Sequence, residues 1–125
     1  MSFRNQWVVY RGESTNSSDL LFTAKECSLI QVWKTQLKVF LASNTSENVY
    51  DFKVKGRSFE RSWTICVGES NTIIAQMNGR DKLEVTVYPN VDYAFVIALV
   101  VILDEINRDR ENGNKLVTNI IGVGN

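Results

Sequence analysis

Short runs of β-prone residues separated by polar turn clusters occupy the first two thirds of the chain. Candidate strands lie at residues 6–11, 20–26, 29–34, 36–41, 49–55, 59–67, 72–77 and 83–88. Within them apolar and polar side chains alternate, so that Phe52 and Val54 fall on one face of a strand while Asp51 and Lys53 fall on the other. The pattern predicts an antiparallel β-meander with one buried face, which must close into a barrel or be covered.

A single hydrophobic helix is the predicted cover. Pro89 stops the last strand, and Asn90 or Asp92 can cap a helix that runs to about Asn107. Its centre, YAFVIALVVIL at residues 93–103, is apolar on all sides, which indicates burial in a protein or in a membrane. Eleven residues at about 1.5 Å each reach roughly 17 Å against a hydrocarbon core of about 30 Å, so a core helix is favoured over a membrane span. The fold class is mainly β with one C-terminal helix.

Composition argues against catalysis and against nucleic acid as a partner. The chain has no histidine, and 14 basic residues balance 14 acidic ones. A Ser-His-Asp or Cys-His device is therefore impossible, and no overall field attracts nucleic acid. With no P-loop glycines and no metal-ligand spacing, we expect no catalytic residue, no metal and no cofactor.

The two cysteines favour an intracellular protein. Cys27 and Cys66 are too far apart for a CxxC motif and lie in apolar runs, so buried free thiols are favoured over a disulfide. The N-terminus lacks a signal-peptide pattern. The expected location is cytoplasmic or peripheral at a membrane, and not secreted.

Aromatic and acidic residues have two interpretations each. Trp7, Trp33 and Trp63 can form a stacking platform for single strands or pack in the core, and the absence of surrounding net charge favours packing. Asp92 and the Asp104-Glu105 pair are the only clustered acids. They bracket the helix, where they complement its dipole or return the chain to solvent.

Several segments resemble the plant LURP-one-related family. They are the Trp7 strand with its YRG end, DLLFT at 19–23, DFKVKG at 51–56, GES at 68–70 followed by IAQM at 74–77, and above all VTVYPNVDYAF with VVILDEINR between Val85 and Arg108. The matching segments run from about residue 6 to residue 108, in the family's order.

The resemblance implies a tubby-like fold, which is also compared with that of phospholipid scramblases: a closed β-barrel threaded by a hydrophobic helix. Strands that usually precede the Trp7 strand are missing here, and the join from Met77 to Leu83 is shorter than the family's. We therefore expect a partial antiparallel barrel around the central helix, with open strand edges and one side of the helix exposed. A LURP-one-related domain is assigned to residues 1–108, and residues 109–125 form a loosely ordered tail or, from Leu116 to Val123, a short edge strand. From the missing strands we expect a truncated paralogue, a partial gene product or a fragment.

A basic cluster lies within FKVKGRSFERSW at residues 52–63. Lys53, Lys55, Arg57 and Arg61 stand against Glu60, with a turn placed at Gly56. Converging ammonium and guanidinium groups suit a phosphoinositide headgroup. The favoured interpretation is the wet face of an amphipathic strand, with charges that discourage edge pairing, because Asp51 and Glu60 are close enough to neutralise part of the cluster.

The leading functional hypothesis is a non-catalytic binding or regulatory module, for which the resemblance implies a role in plant defence or stress. A peripheral phosphoinositide- or phospholipid-binding protein of tubby or scramblase type is the alternative. A third is that the truncated chain has no independent function. Under the first two hypotheses the expected partner is an unknown protein or a lipid headgroup. Self-association through open strand edges is also expected.

Overall fold

The computed structural model describes residues 3–27, 34–57, 62–79, 84–112 and 118–123. They form eight strands and one helix, with a single 3-10 turn at Ser17–Asp19. In chain order the elements are β1 (Phe3–Arg11), β2 (Leu20–Cys27), β3 (Lys34–Leu41), β4 (Phe52–Arg57), β5 (Ser62–Val67), β6 (Ile73–Asn78), β7 (Glu84–Val87), α1 (Tyr93–Asn112) and β8 (Thr118–Val123).

All eight strands belong to one sheet, in the order β7-β6-β5-β4-β3-β2-β1-β8. Strands β1 to β7 pair antiparallel with their sequence neighbours, as the turn clusters between them predict. Because β7 and β8 are the two edges and do not pair with each other, the sheet is open. The mainly β fold with one helix near the C-terminus is confirmed, whereas the closed barrel of the resemblance is absent from the described residues.

One face of the sheet forms the core together with α1. Alternate residues on neighbouring strands meet in register, as Ala24 does with Trp7 on one side and Val39 on the other. The buried side chains of this inner face are Trp7, Val9, Phe22, Ala24, Leu37, Val39, Val54, Trp63, Ile65, Ala75 and Met77. One polar pair shares the face, where the Asn5 Nδ2 donates to Glu26 Oε1 at 2.8 Å.

The helix α1 is buried on one side only. Asp92 caps it, since its Oδ1 accepts the Ala94 N–H at 2.9 Å. Val96, Ala98, Leu99, Ile102, Leu103 and Ile106 pack into the core. Tyr93, Ile97 and Val101 repeat at four-residue intervals on the other side and are 69%, 56% and 46% exposed. The prediction of a helix enclosed on all sides is therefore wrong. The expectation that one side of the helix is exposed agrees with the structure.

The region after Asn107 contains regular structure. The helix continues to Asn112, and β8 then pairs in parallel with β1, from Gln6 opposite Thr118 to Arg11 opposite Val123. A loosely ordered tail is thus wrong for residues 118–123, and the edge strand held as its alternative is correct. Glycine at position 122 lets β8 lie this close to the end of β1, because a Cβ on Gly122 would overlap the carbonyl oxygen of Gly12.

Gly56 does not lie in a turn. It belongs to β4 and sits opposite Trp63 on the inner face. A Cβ there would overlap the Ser62 carbonyl and the Trp63 ring, so glycine leaves room for the indole. The predicted strand at 29–34 and the Trp33 side chain lie largely or wholly outside the described residues. No helix in the described part of the chain is long and apolar enough to cross a membrane.

Candidate functional site: a basic surface on the outer face of the sheet

Basic residues gather on the sheet face that points away from α1. Lys53, Lys55 and Arg57 occupy alternate positions of β4 and share one side of the strand. Strand register adds lysines from the two preceding strands, because Lys53 is opposite Lys38 and Lys38 is opposite Lys25. We call the group Lys25, Lys38, Lys53, Lys55 and Arg57 the basic surface.

Neighbouring strands hold these side chains close together. Adjacent strands are about 4.8 Å apart, so Lys25, Lys38 and Lys53 form a row across three strands roughly 10 Å wide. Lys55 and Arg57 continue the surface along β4, and both are exposed. Like charges directly opposite one another destabilise a sheet, so this row has an energetic cost.

Contacts with the β3–β4 connection offset part of that cost. Lys25 Nζ lies 2.8 Å from Glu47 Oε1 and 5.5 Å from the centre of the Phe40 ring. Lys38 Nζ lies 5.1 Å from the centre of the Tyr50 ring, within cation–π range. Two lysines are therefore positioned by neighbouring side chains, which keeps the row ordered.

Two ionisable groups near Lys38, the Tyr50 hydroxyl and the Cys27 thiol, add no negative charge to the basic surface. Desolvation raises the pKa of the Tyr50 hydroxyl, and Glu69 raises this pKa further. Burial also raises the pKa of the Cys27 thiol, although Lys38 opposes the shift. Both groups stay uncharged near neutral pH. The Asp51 carboxylate is used in the connection, where Oδ2 accepts the Leu41 N–H at 2.8 Å and the Asn44 Nδ2 at 3.1 Å.

The predicted basic cluster is therefore brought together in part. Lys53, Lys55 and Arg57 share a face, while Arg61 lies outside the described residues. Lys25 and Lys38 were not predicted. Their signal was the alternation itself, because Lys25 falls out of phase with the buried Phe22 and Ala24, and Lys38 with the buried Leu37 and Val39.

The tryptophans do not form a stacking platform among the described residues. Trp7 is completely buried and its Nε1 donates to Glu105 Oε2 at 3.4 Å, which joins β1 to α1. Trp63 is 4% exposed on the same inner face. Core packing is thus correct for Trp7 and Trp63.

The acidic residues at the ends of α1 and the two cysteines have structural roles. Asp92 caps the helix, and Asp104 pairs with Arg108 one turn later, at 3.5 Å. Cys27 and Cys66 are buried and free, as predicted, and the disulfide alternative is wrong. The described residues contain no cluster of three or more side chains able to hold a metal ion.

The fold is an open, mainly β sheet with a helix across one face and lysines in register on the other. A model of the LURP-one-related family matches residues 1–104. The chain belongs to that family, and resemblance read from the sequence is confirmed.

Its relatives include three Arabidopsis thaliana proteins. Protein LURP-one-related 10 is 46% identical over 119 residues, covering 87% of this chain and 61% of that protein. Protein LURP-one-related 15 is 49% identical over 119 residues, covering 87% and 54%. Protein LURP1 is 44% identical over 118 residues, covering 86% and 56%. None of these names denotes an enzyme.

A solved structure has a similar fold. The X-ray structure of another Arabidopsis thaliana protein matches with a TM-score of 0.69 and 48% identity, covering 82% of this chain and 59% of that one. The chain thus spans little more than half the length of the relatives that it matches. Its sheet and helix correspond to a part of their fold.

Proposed function

We propose that the chain is a non-catalytic binding module whose basic surface binds an anionic lipid headgroup of the phosphoinositide type. The observation that carries the proposal is the row formed by Lys25, Lys38 and Lys53 in direct cross-strand register. Each opposed pair of like charges costs on the order of 0.2–1 kcal/mol of stability in the unliganded protein. A bound phosphate would offset this repulsion, because each ammonium group would be attracted to the phosphate oxygens.

The position of the row argues against a purely protective role. Charged residues often shield exposed sheet edges from pairing with other chains. Here β2, β3 and β4 each have a strand on both sides, so their lysines protect no edge. Near an anionic membrane each cation contributes about 1 kcal/mol, and the contribution is screened over a Debye length of about 8 Å. Several converging cations are enough for salt-sensitive, peripheral membrane contact.

Vesicle sedimentation tests this proposal. We expect the protein to sediment with phosphatidylcholine vesicles that contain a phosphoinositide, and to be released as salt rises toward 0.5 M. The double substitution Lys38→Gln/Lys53→Gln should weaken this binding at least tenfold, since each cation contributes about 1 kcal/mol. Arg11→Gln/Arg108→Gln removes the same charge from exposed positions outside the basic surface and should bind as the unaltered protein does.

Two outcomes oppose the lipid proposal. One is the absence of vesicle binding at low salt. The other is equal loss of binding in both double variants, which would mean that net charge alone attracts the vesicles. Inositol phosphates in solution separate headgroup recognition from attraction to a charged surface, because only recognition gives saturable one-to-one binding.

The family membership supports a regulatory role in plant defence or stress as the setting of this binding. Protein LURP1 is among the relatives, at 44% identity. We expect the protein inside the cell, in the cytoplasm or at the inner side of a membrane. A fluorescent fusion in plant cells should move from the membrane to the cytoplasm on Lys38→Gln/Lys53→Gln, and an unchanged distribution would separate localisation from the basic surface.

A further inference from the structure

A second feature, an apolar cleft, opens at one end of the sheet beside the start of α1. It encloses about 380 Å³, within the range of small-molecule sites. The described residues that line it are Leu21, Phe22, Leu41, Phe52, Ile74, Asn90, Val91, Asp92, Ala94 and Phe95.

Three of the lining side chains are phenylalanines whose rings contact one another. The Phe95 ring of α1 meets Phe22 edge-on, with centroids 5.2 Å apart and planes at 76°. Its other neighbour is Phe52, with centroids 4.9 Å apart. Rings fixed in this way present apolar faces and edges to a ligand, and aromatic faces also attract cations.

The mouth of the cleft carries negative charge. Asp92 is the only charged residue among the described lining residues, and Asn90 beside it adds an amide. The Asp92 side chain is exposed, and only its Oδ1 is used, in the bond to the Ala94 N–H. A carboxylate accepts about four hydrogen bonds, so most of its capacity remains. No ion pair joins Asp92 to a cation in the described part of the chain.

From this combination we propose that the cleft binds a small amphipathic amine. The apolar body lies against Phe22, Phe52 and Phe95, and the ammonium group donates to the Asp92 carboxylate. An anionic head would meet the full negative charge of Asp92 at the mouth, which the partial positive charge at the N-terminus of α1 offsets only in part. The cleft volume lies within the range of small-molecule sites, which accommodates a short alkyl chain. This site is separate from the basic surface, since they share no residue and have opposite charge.

Three amphiphiles of equal chain length test the proposal. Decylammonium, decanol and decanoate are titrated into the protein at neutral pH and below their micellar concentrations, while displacement of the neutral fluorophore Nile red is measured. An alkylammonium has a pKa near that of lysine, about 10.4, and is charged under these conditions. We expect saturable one-to-one binding in which decylammonium is at least about tenfold tighter than decanoate, because only the ammonium makes a charge-assisted hydrogen bond.

Two substitutions locate the binding. Asp92→Asn preserves a helix cap but removes the charge, so the preference for decylammonium should fall to about threefold or less. Ile74→Trp fills the cleft and should weaken all three amphiphiles together. Val85→Trp adds the same side chain at a partly exposed strand position outside the cleft lining and should leave binding unchanged. Circular dichroism establishes that each variant is folded.

Several results overturn the proposal. They are decanoate binding as tightly as decylammonium, an ammonium preference that survives Asp92→Asn, and binding without saturation. If Ile74→Trp does not fold, the charge test with Asp92→Asn decides alone.

Discussion

Replacing one buried and one exposed residue of α1 tests the one-sided burial of the helix. Leu99 is completely buried, whereas Ile97, two positions earlier, is 56% exposed. A buried leucine cut to alanine loses its transfer free energy and leaves a cavity, at about 2–5 kcal/mol. We take about 3 kcal/mol for Leu99→Ala. Ile97→Ala removes mostly exposed surface and gains helix propensity, so its expected cost is below about 0.5 kcal/mol.

Thermal unfolding followed by circular dichroism measures the difference. For a domain of this size about 1 kcal/mol corresponds to roughly 4 °C in Tm. Leu99→Ala should therefore lower Tm by about 12 °C, and Ile97→Ala by about 2 °C or less. Val101, also exposed, provides a second control on the same side of the helix. Equal losses from Leu99→Ala and Ile97→Ala would refute the one-sided burial and place a cover over the outer side of α1.

Three further predictions concern the sheet and the exposed side of α1. Lys53→Thr removes the repulsion between Lys53 and the opposed Lys38 and should raise the free energy of unfolding by about 0.5 kcal/mol in urea titrations, while Arg11→Thr should leave it unchanged; a destabilised Lys53→Thr protein would contradict the repulsion. Gly122→Ala should destabilise the protein and expose β1 amides to hydrogen exchange, because its Cβ overlaps Gly12; unchanged protection would mean that β8 tolerates the methyl group. The exposed side of α1 and the β7 edge should drive concentration-dependent association in light scattering, which Ile97→Lys reduces; a strictly monomeric protein at high concentration would refute this.

Alternation was enough to predict the faces of the sheet. The apolar phase of Phe52 and Val54 needed only a period of two, and the antiparallel order of β1 to β7 followed from short connections, whereas the parallel place of β8 beside β1 was not predicted. The end of β7 and the N-terminal cap of α1 could also be predicted from local sequence, since Pro89 and Asp92 act on their immediate neighbours.

Features that depend on distant contacts were harder to predict. Gly56 makes room for Trp63 in the next strand. That contact is not visible in the local sequence, so the glycine was predicted to form a turn. The full basic surface required the register of β2, β3 and β4, because Lys25 and Lys38 are isolated in the sequence. The exposed side of α1 had no signal in the helix itself, since Ile97 and Val101 are as apolar as the buried residues beside them.

The parallel pairing of β8 with β1 has a consequence for how the chain folds. Strands β1 to β7 pair with sequence neighbours, so this meander can form progressively as the ribosome releases it. β8 can pair with β1 only after β2 to β7 and α1 have been synthesised, and closing so long a loop is entropically slow. Folding of the described strands should therefore include a slow kinetic phase, the docking of β8, before which β1 lacks this partner and misassembly is favoured.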